Sequence, residues 1–120
     1  MAGILKSITM KKSTIHFTVE LDDNNVPENI YWDATDKPQG GITPTKSISI
    51  AVWDHNEKST LRIDLWTKDM PVDEMKKFHI DCIGALAQSI ANSTGDDYMA
   101  NEMNALCDRL VQHVQSDKGK

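Results

Sequence analysis

Two runs, Ser47-Ile48-Ser49-Ile50-Ala51-Val52-Trp53 and Thr60-Leu61-Arg62-Ile63-Asp64-Leu65-Trp66, decide the fold. In each, every second residue is apolar: Ile48, Ile50 and Val52 in the first, Leu61, Ile63 and Leu65 in the second. A period of two puts alternate side chains on opposite faces and predicts strands. The segment between them, His55-Asn56-Glu57-Lys58, has hairpin length. Keeping the apolar sets on one face fixes the register: Val52 opposes Leu61, Ile50 opposes Ile63, and Ile48 opposes Leu65. The second face then carries Ser49 opposite Asp64 and Ala51 opposite Arg62, with Trp53 and Trp66 near opposite ends.

Upstream, Ile15, Phe17, Val19 and Leu21 alternate with Thr14, His16, Thr18 and Glu20, a first half-buried strand. The turn formers Asp22-Asp23-Asn24-Asn25 and then Pro27 end it. A second strand spans about residues 29–34, with Ile30 and Trp32 on one face. Thr35 to Thr45 holds Pro38, Gly40, Gly41 and Pro44 and reads as a long loop. Downstream of Asp69 the period changes. Met75, Phe78, Cys82, Leu86 and Ile90 recur every three or four residues, which predicts a helix over 71–94. Pro71 suits its first turn and Gly95 its end. Asp96 or Asp97 caps a second helix with the stripe Met99, Met103, Leu106, Leu110 and Val114.

Strands followed by helices predict an α+β fold. Short connections favour a four-stranded antiparallel meander, with the two C-terminal helices packed on one face. Residues 1–12 read as a flexible tail, 13–115 as a single domain, and 116–120 as a frayed end.

With 120 residues, the chain can build one core without metals or disulfides. A hydrophobic fraction of 39% and a charged fraction of 26% belong to a globular protein rather than a disordered or membrane one. The net charge of −5 argues against nucleic acid, whose binders concentrate positive charge. Nothing approaches the roughly 18 apolar residues of a membrane span, and the start, Met1 to Ile8, lacks the apolar run of an export signal. The two cysteines, Cys82 and Cys107, lie in helical patterns and read as core thiols of a reducing compartment, one bridge between packed helices being the other possibility. A cytoplasmic location is therefore expected.

No catalytic constellation stands out. His79 and Cys82 sit three apart on one helix, but two ligands without a second pair do not make a zinc site. Cys82 is mid-helix on an apolar stripe, where a thiol is not activated. Gly40-Gly41 precedes no phosphate-cradling signature, and no serine sits in a nucleophile elbow. No catalytic residue, metal or cofactor is expected. The hairpin's second face is the candidate interface: Trp53, Trp66, Arg62 and Asp64. Exposed tryptophans mark contact surfaces, and Arg62 with Asp64 suits a two-fold axis. This favours a homo-oligomer, a dimer or tetramer. The other possibility is a monomer whose Thr35–Thr45 loop folds over the tryptophans.

Ala51-Val52-Trp53-Asp54 and the run Leu61-Arg62-Ile63-Asp64-Leu65-Trp66-Thr67-Lys68-Asp69-Met70-Pro71-Val72-Asp73-Glu74-Met75 resemble the GldC family of gliding-motility proteins of Bacteroidetes. Phe17 through Pro27 and Tyr31-Trp32-Asp33-Ala34-Thr35-Asp36 resemble it too, so the likeness covers residues 11–115. The resemblance implies a small accessory protein with a protein partner in the gliding machinery, and no enzyme activity or cofactor. A second reading rests on element order alone: four strands and two helices is also the order of the export chaperone SecB, a holdase.

Overall fold

The computed structural model describes residues 10–38 and 41–118. Most of the expected N-terminal tail and the last two residues lie outside them, as does Gly40 of the glycine pair. The strands form one compact unit ending at Asp69, and the helices form another beginning at Met70.

The strand unit contains β1 (Ile15–Leu21), β2 (Pro27–Ala34), β3 (Thr43–Thr45), β4 (Ser47–Trp53) and β5 (Thr60–Trp66). All pairings are antiparallel. The expected single four-stranded meander is not what forms. The strands make two sheets, one of order β1-β2-β3 and one of β4-β5. The departure is at Lys46. β2 pairs with Thr43–Thr45 only, and Ile30↔Thr45 is the last pair. Beyond it the Thr67 N–H donates to the Lys46 carbonyl at 2.8 Å, while the next N–H, of Lys68, donates to the Pro27 carbonyl at 3.1 Å. Successive N–H groups of a strand point to opposite sides, so the chain after β5 joins β4 on one side and the start of β2 on the other. Pro44, which has no N–H to give a ladder, sits within the three-residue β3. The buried residues of this unit are Ile30 of β2, Ile48 of β4 and Thr67, the residue that follows β5.

The two turns are side-chain built. Asp22 Oδ1 accepts the N–H groups of Asn24 (2.8 Å) and Val26 (3.0 Å), which lets Asn25 take φ 64°. Asparagine tolerates this left-handed conformation better than most residues. In the β4–β5 turn Asp54 Oδ2 accepts the Glu57 N–H at 2.6 Å, and the Asp54 N–H bonds Ser59 O at 2.8 Å. The hairpin register is the one the alternation predicts, from Ser47↔Trp66 through Ile50↔Ile63 to Trp53↔Thr60.

The helical unit is α1 (Val72–Thr94) and α2 (Asp97–Lys118). Pro71 is the N-cap of α1, with Asp73 and Glu74 in its first turn, where carboxylates offset the positive end of the helix. Gly95 ends it at φ 73°, its N–H bonded to Ala91 O at 2.9 Å, a left-handed cap that favours glycine. Asp96 then caps α2, its Oδ1 accepting the Met99 N–H at 3.0 Å. The helices pack on small residues. A Cβ on Gly84 would meet Cys107 Sγ at 4.0 Å, and Ala87 and Ala100 are buried. Leu86, expected on the packed stripe, stays 52% exposed. Cys82 and Cys107 are free thiols.

Candidate interaction surface

By parity the β4–β5 hairpin presents Ser47, Ser49, Ala51 and Trp53 beside Thr60, Arg62, Asp64 and Trp66 on one face. The structure brings Arg62, Asp64 and Ser49 together. Arg62 donates to Asp64 in bidentate fashion, Nη2 to Oδ1 at 2.9 Å and Nε to Oδ2 at 3.2 Å. The Ser49 hydroxyl donates to Asp64 Oδ1 at 2.6 Å from the opposing strand. Arg62 and Asp64 are 48% and 39% exposed, so this ion pair orders the surface more than it stabilises the fold. The tryptophans are not brought together. Trp53 opposes Thr60 and Trp66 opposes Ser47, at the two ends of the hairpin, and they are 68% and 52% exposed.

The loop after β2 closes on Trp32 instead. Lys37 Nζ lies 4.4 Å from the centroid of the Trp32 ring and donates to Trp32 O (3.2 Å), Gly41 O (2.6 Å) and the Thr43 hydroxyl. An ammonium over an indole face is attracted by the ring quadrupole, which holds both ends of the loop to β2.

Two polar clusters escaped sequence reasoning. Lys68 Nζ sits 3.1 Å from Asp22 Oδ2 and 3.3 Å from Glu28 Oε1. The Val26 N–H, then Lys68, hold the Asp22 carboxyl below its usual value, and Asp22, then Glu28, raise the Lys68 ammonium. The buried Thr67 hydroxyl donates to Asp69 Oδ1 at 2.6 Å and is the main cause of that carboxyl's lowered value. The only sequence signal was charge next to a turn, and the partners lie 46 residues apart.

Among the described residues no three metal-ligating side chains converge. His79 Nδ1 is 2.9 Å from the Met75 carbonyl of its own helix. No described helix is long and apolar enough to cross a membrane.

A strand unit of two sheets and a helical hairpin define a small α+β protein. Comparison with protein families matches residues 27–116 to the family described as gliding motility-associated protein GldC-like. The chain belongs to that family of gliding motility-associated proteins. No curated protein and no solved structure matches it.

Proposed function

We propose that this protein works in the cytoplasm of a gliding member of the Bacteroidetes, as a binding component that engages a protein partner of the gliding machinery. It does so as a homo-oligomer, a dimer or tetramer, with Trp53 or Trp66 at the centre of the contact and Arg62 and Asp64 beside them. The family match over residues 27–116, which spans the hairpin, all of α1 and most of α2, supports the link to gliding. The exposure of both tryptophans on a face of small and ion-paired side chains supports the contact, because tryptophan is enriched among interface anchors. Deleting the gene in a gliding bacterium should slow colony spreading, and the unaltered gene should restore it. Restoration by a Trp53→Ala/Trp66→Ala gene to the same degree would remove the tryptophans from the function. In purified protein, truncating a central anchor costs ~2 kcal/mol or more of association, so Trp53→Ala or Trp66→Ala should shift the light-scattering mass towards the monomer.

One observation favours a second reading, the holdase. Val52, Leu61 and Ile63, on the apolar face of the hairpin, are 52%, 53% and 54% exposed. Contiguous exposed apolar residues mark binding surfaces for other proteins. The two readings separate in a chaperone assay: a holdase suppresses aggregation of an unrelated unfolded protein at molar excess, and a dedicated partner-binding protein does not.

A further inference from the structure

The outer edge of β4 is open and has a charge at each end. The Thr67 N–H bonds Lys46 O, and the Asp54 N–H bonds Ser59 O, which fixes the hydrogen-bonded pairs of the hairpin at every second position. Ile48, Ile50 and Val52 therefore spend their backbone groups on β5, while those of Ser47, Ser49, Ala51 and Trp53 point the other way. No described strand pairs with β4 on that side. Such an edge is a template for a further strand. Its start is set by β2: Thr45, two residues before Ser47, is already paired with Ile30. A strand laid on this edge therefore has the length from Ser47 to Trp53 to use.

The charges at the two ends select the partner. β4 is Ser-Ile-Ser-Ile-Ala-Val-Trp, without a charge, and its midpoint is Ile50. The exposed Lys46 precedes it and Asp54 follows it, at equal distances from Ile50. Asp54 gives Oδ2 to the Glu57 N–H of its own turn, and Oδ1 is the other acceptor of the carboxylate. An antiparallel copy of β4 centred on Ile50 overlaps the strand along its full length. It sets Lys46 opposite the partner's Asp54, and Asp54 opposite the partner's Lys46, and opposite charges stabilise a cross-strand pair. Moving the centre to Ser49 brings the partner's Trp53 onto Thr45, where β2 already lies. Moving it to Ala51 shortens the overlap and sets Asp54 opposite the apolar Ile48. We infer that two copies of this chain pair β4 to β4 in antiparallel fashion about a two-fold axis at Ile50, joining two hairpins into a four-stranded sheet. This inference rests on the proposed self-association and places its axis.

The side chains on both faces agree with that register. On the apolar face Ile50 meets the partner's Ile50, and Ile48 meets the partner's Val52. With Ile63, Leu65 and Leu61 as their neighbours on β5, the apolar set runs unbroken across four strands. On the other face Ser49 meets the partner's Ala51, and Ser47 meets the partner's Trp53. Ser47 already has Trp66 as its neighbour on β5. Tryptophans that lie at opposite ends of one hairpin thus come to flank a serine, about 10 Å apart at two strand spacings. The small Ser47 leaves room for both indoles, and the arrangement occurs twice, once on each side of the axis.

Lys46→Glu and Asp54→Lys, each purified alone, should fall from dimer to monomer in sedimentation velocity, with association weakened by roughly tenfold or more. Mixed in equal amounts they should form a dimer again. The first variant is acidic at both ends of β4 and the second basic at both, so every cross-axis pair in the mixture has opposite charges. Asp54 also holds its own turn, and a chain weakened only in that turn gains nothing on mixing. Ile50→Cys leaves the turn untouched and is an independent check. Residues at the axis are a non-hydrogen-bonded pair with Cα atoms about 4.5 Å apart, within disulfide range. Mild oxidation should yield a covalent dimer from Ile50→Cys but not from the parent chain. Nor should it from Ile63→Cys, whose two copies stand about 14 Å apart at three strand spacings. Failure of the mixture to associate, or of Ile50→Cys to cross-link, overturns the pairing. If Trp66→Ala alone gives monomers while both charge variants associate like the parent, self-association stands and the β4 axis is wrong. If the parent is monomeric at ~100 μM, where micromolar association would show, both fail.

Discussion

Ile30→Ala should lower the unfolding free energy by about 2–5 kcal/mol, the range for emptying a well-packed site of an isoleucine side chain. Ile30 is 1% exposed and is the one large side chain the described residues bury completely. It pairs with Val19 on β1 and with Thr45 on β3, at the last rung before β2 parts from the β3–β4 strand. Neighbours held by ladders on both sides cannot collapse into the space, so the cavity persists. Domains of this size are stable by only ~5–15 kcal/mol, so a large part of the reserve is at stake. Urea unfolding followed by circular dichroism measures it, with Ile30→Val as the graded step at ~0.5–1.5 kcal/mol. The comparison that decides is Ile63→Ala, on a side chain that is 54% exposed. If both variants lose the same amount, the core does not lie at the junction of β2, β4 and β5.

The hairpin was legible in the sequence because seven-residue strands with strict alternation allow one register that keeps Ile48, Ile50 and Val52 with Leu65, Ile63 and Leu61, and a one-residue slip would reverse every side chain. The helix ends were legible for a local reason as well: Pro71, Gly95 and Asp96 act on the backbone next to them. The break at Lys46 was not legible. β3 is three residues long and contains Pro44, too short to show a period, so Thr43–Thr45 looked like the end of a loop. Nothing in composition tells that Lys68 turns its N–H to Pro27 while Thr67 turns its own to Lys46. A single sheet and two sheets share the same alternation and differ in hydrogen-bond direction at one residue.

The candidate surface shows the same division. Parity alone placed Arg62, Asp64, Trp53 and Trp66 on one face, and the structure places them there. How exposed each would be depended on where the Thr35–Thr45 loop goes. That is decided by Lys37, whose ammonium finds Trp32 and the carbonyl of Gly41. A lysine in a loop is usually a solvated charge, and no pattern in the sequence distinguishes one that clamps the loop shut. The Asp22–Lys68 contact was hidden for the reason that applies to most long-range ion pairs: each charge sits next to its own turn or strand end, and only the fold brings the two together.

Asp22 should be the most consequential charged residue for stability, and its contribution should vanish in acid. One carboxylate does three things. It accepts the Asn24 and Val26 N–H groups that shape the β1–β2 turn, and it faces the Lys68 ammonium, two residues past the end of β5. All three favour the ionised form, so the folded-state value is depressed, with the Val26 bond as the largest cause. A depressed carboxyl stabilises the fold fully above its unfolded value and loses that effect as pH falls through the folded value. Asp69, depressed by the Thr67 hydroxyl, acts in the same sense and the same acid window. Lys68 supplies the opposite limb. Its value is raised, so its contribution is complete below the unfolded value of 10.5 and is lost as pH rises through the folded one. Between the two windows stability should be flat with respect to these groups. Asp22→Ala should therefore lower the urea midpoint at pH 7 and flatten the decline between about pH 5 and pH 2 relative to the parent. Asp22→Asn keeps an oxygen that can accept the turn's N–H groups but removes the charge, so it should lose less at pH 7 and flatten the acid limb equally. The Lys68→Met variant should lose stability at pH 7 while leaving part of the acid decline, since the two backbone bonds to Asp22 remain. An Asp22→Ala protein whose midpoint still falls with pH as steeply as the parent's would show that acid unfolding begins at another carboxylate.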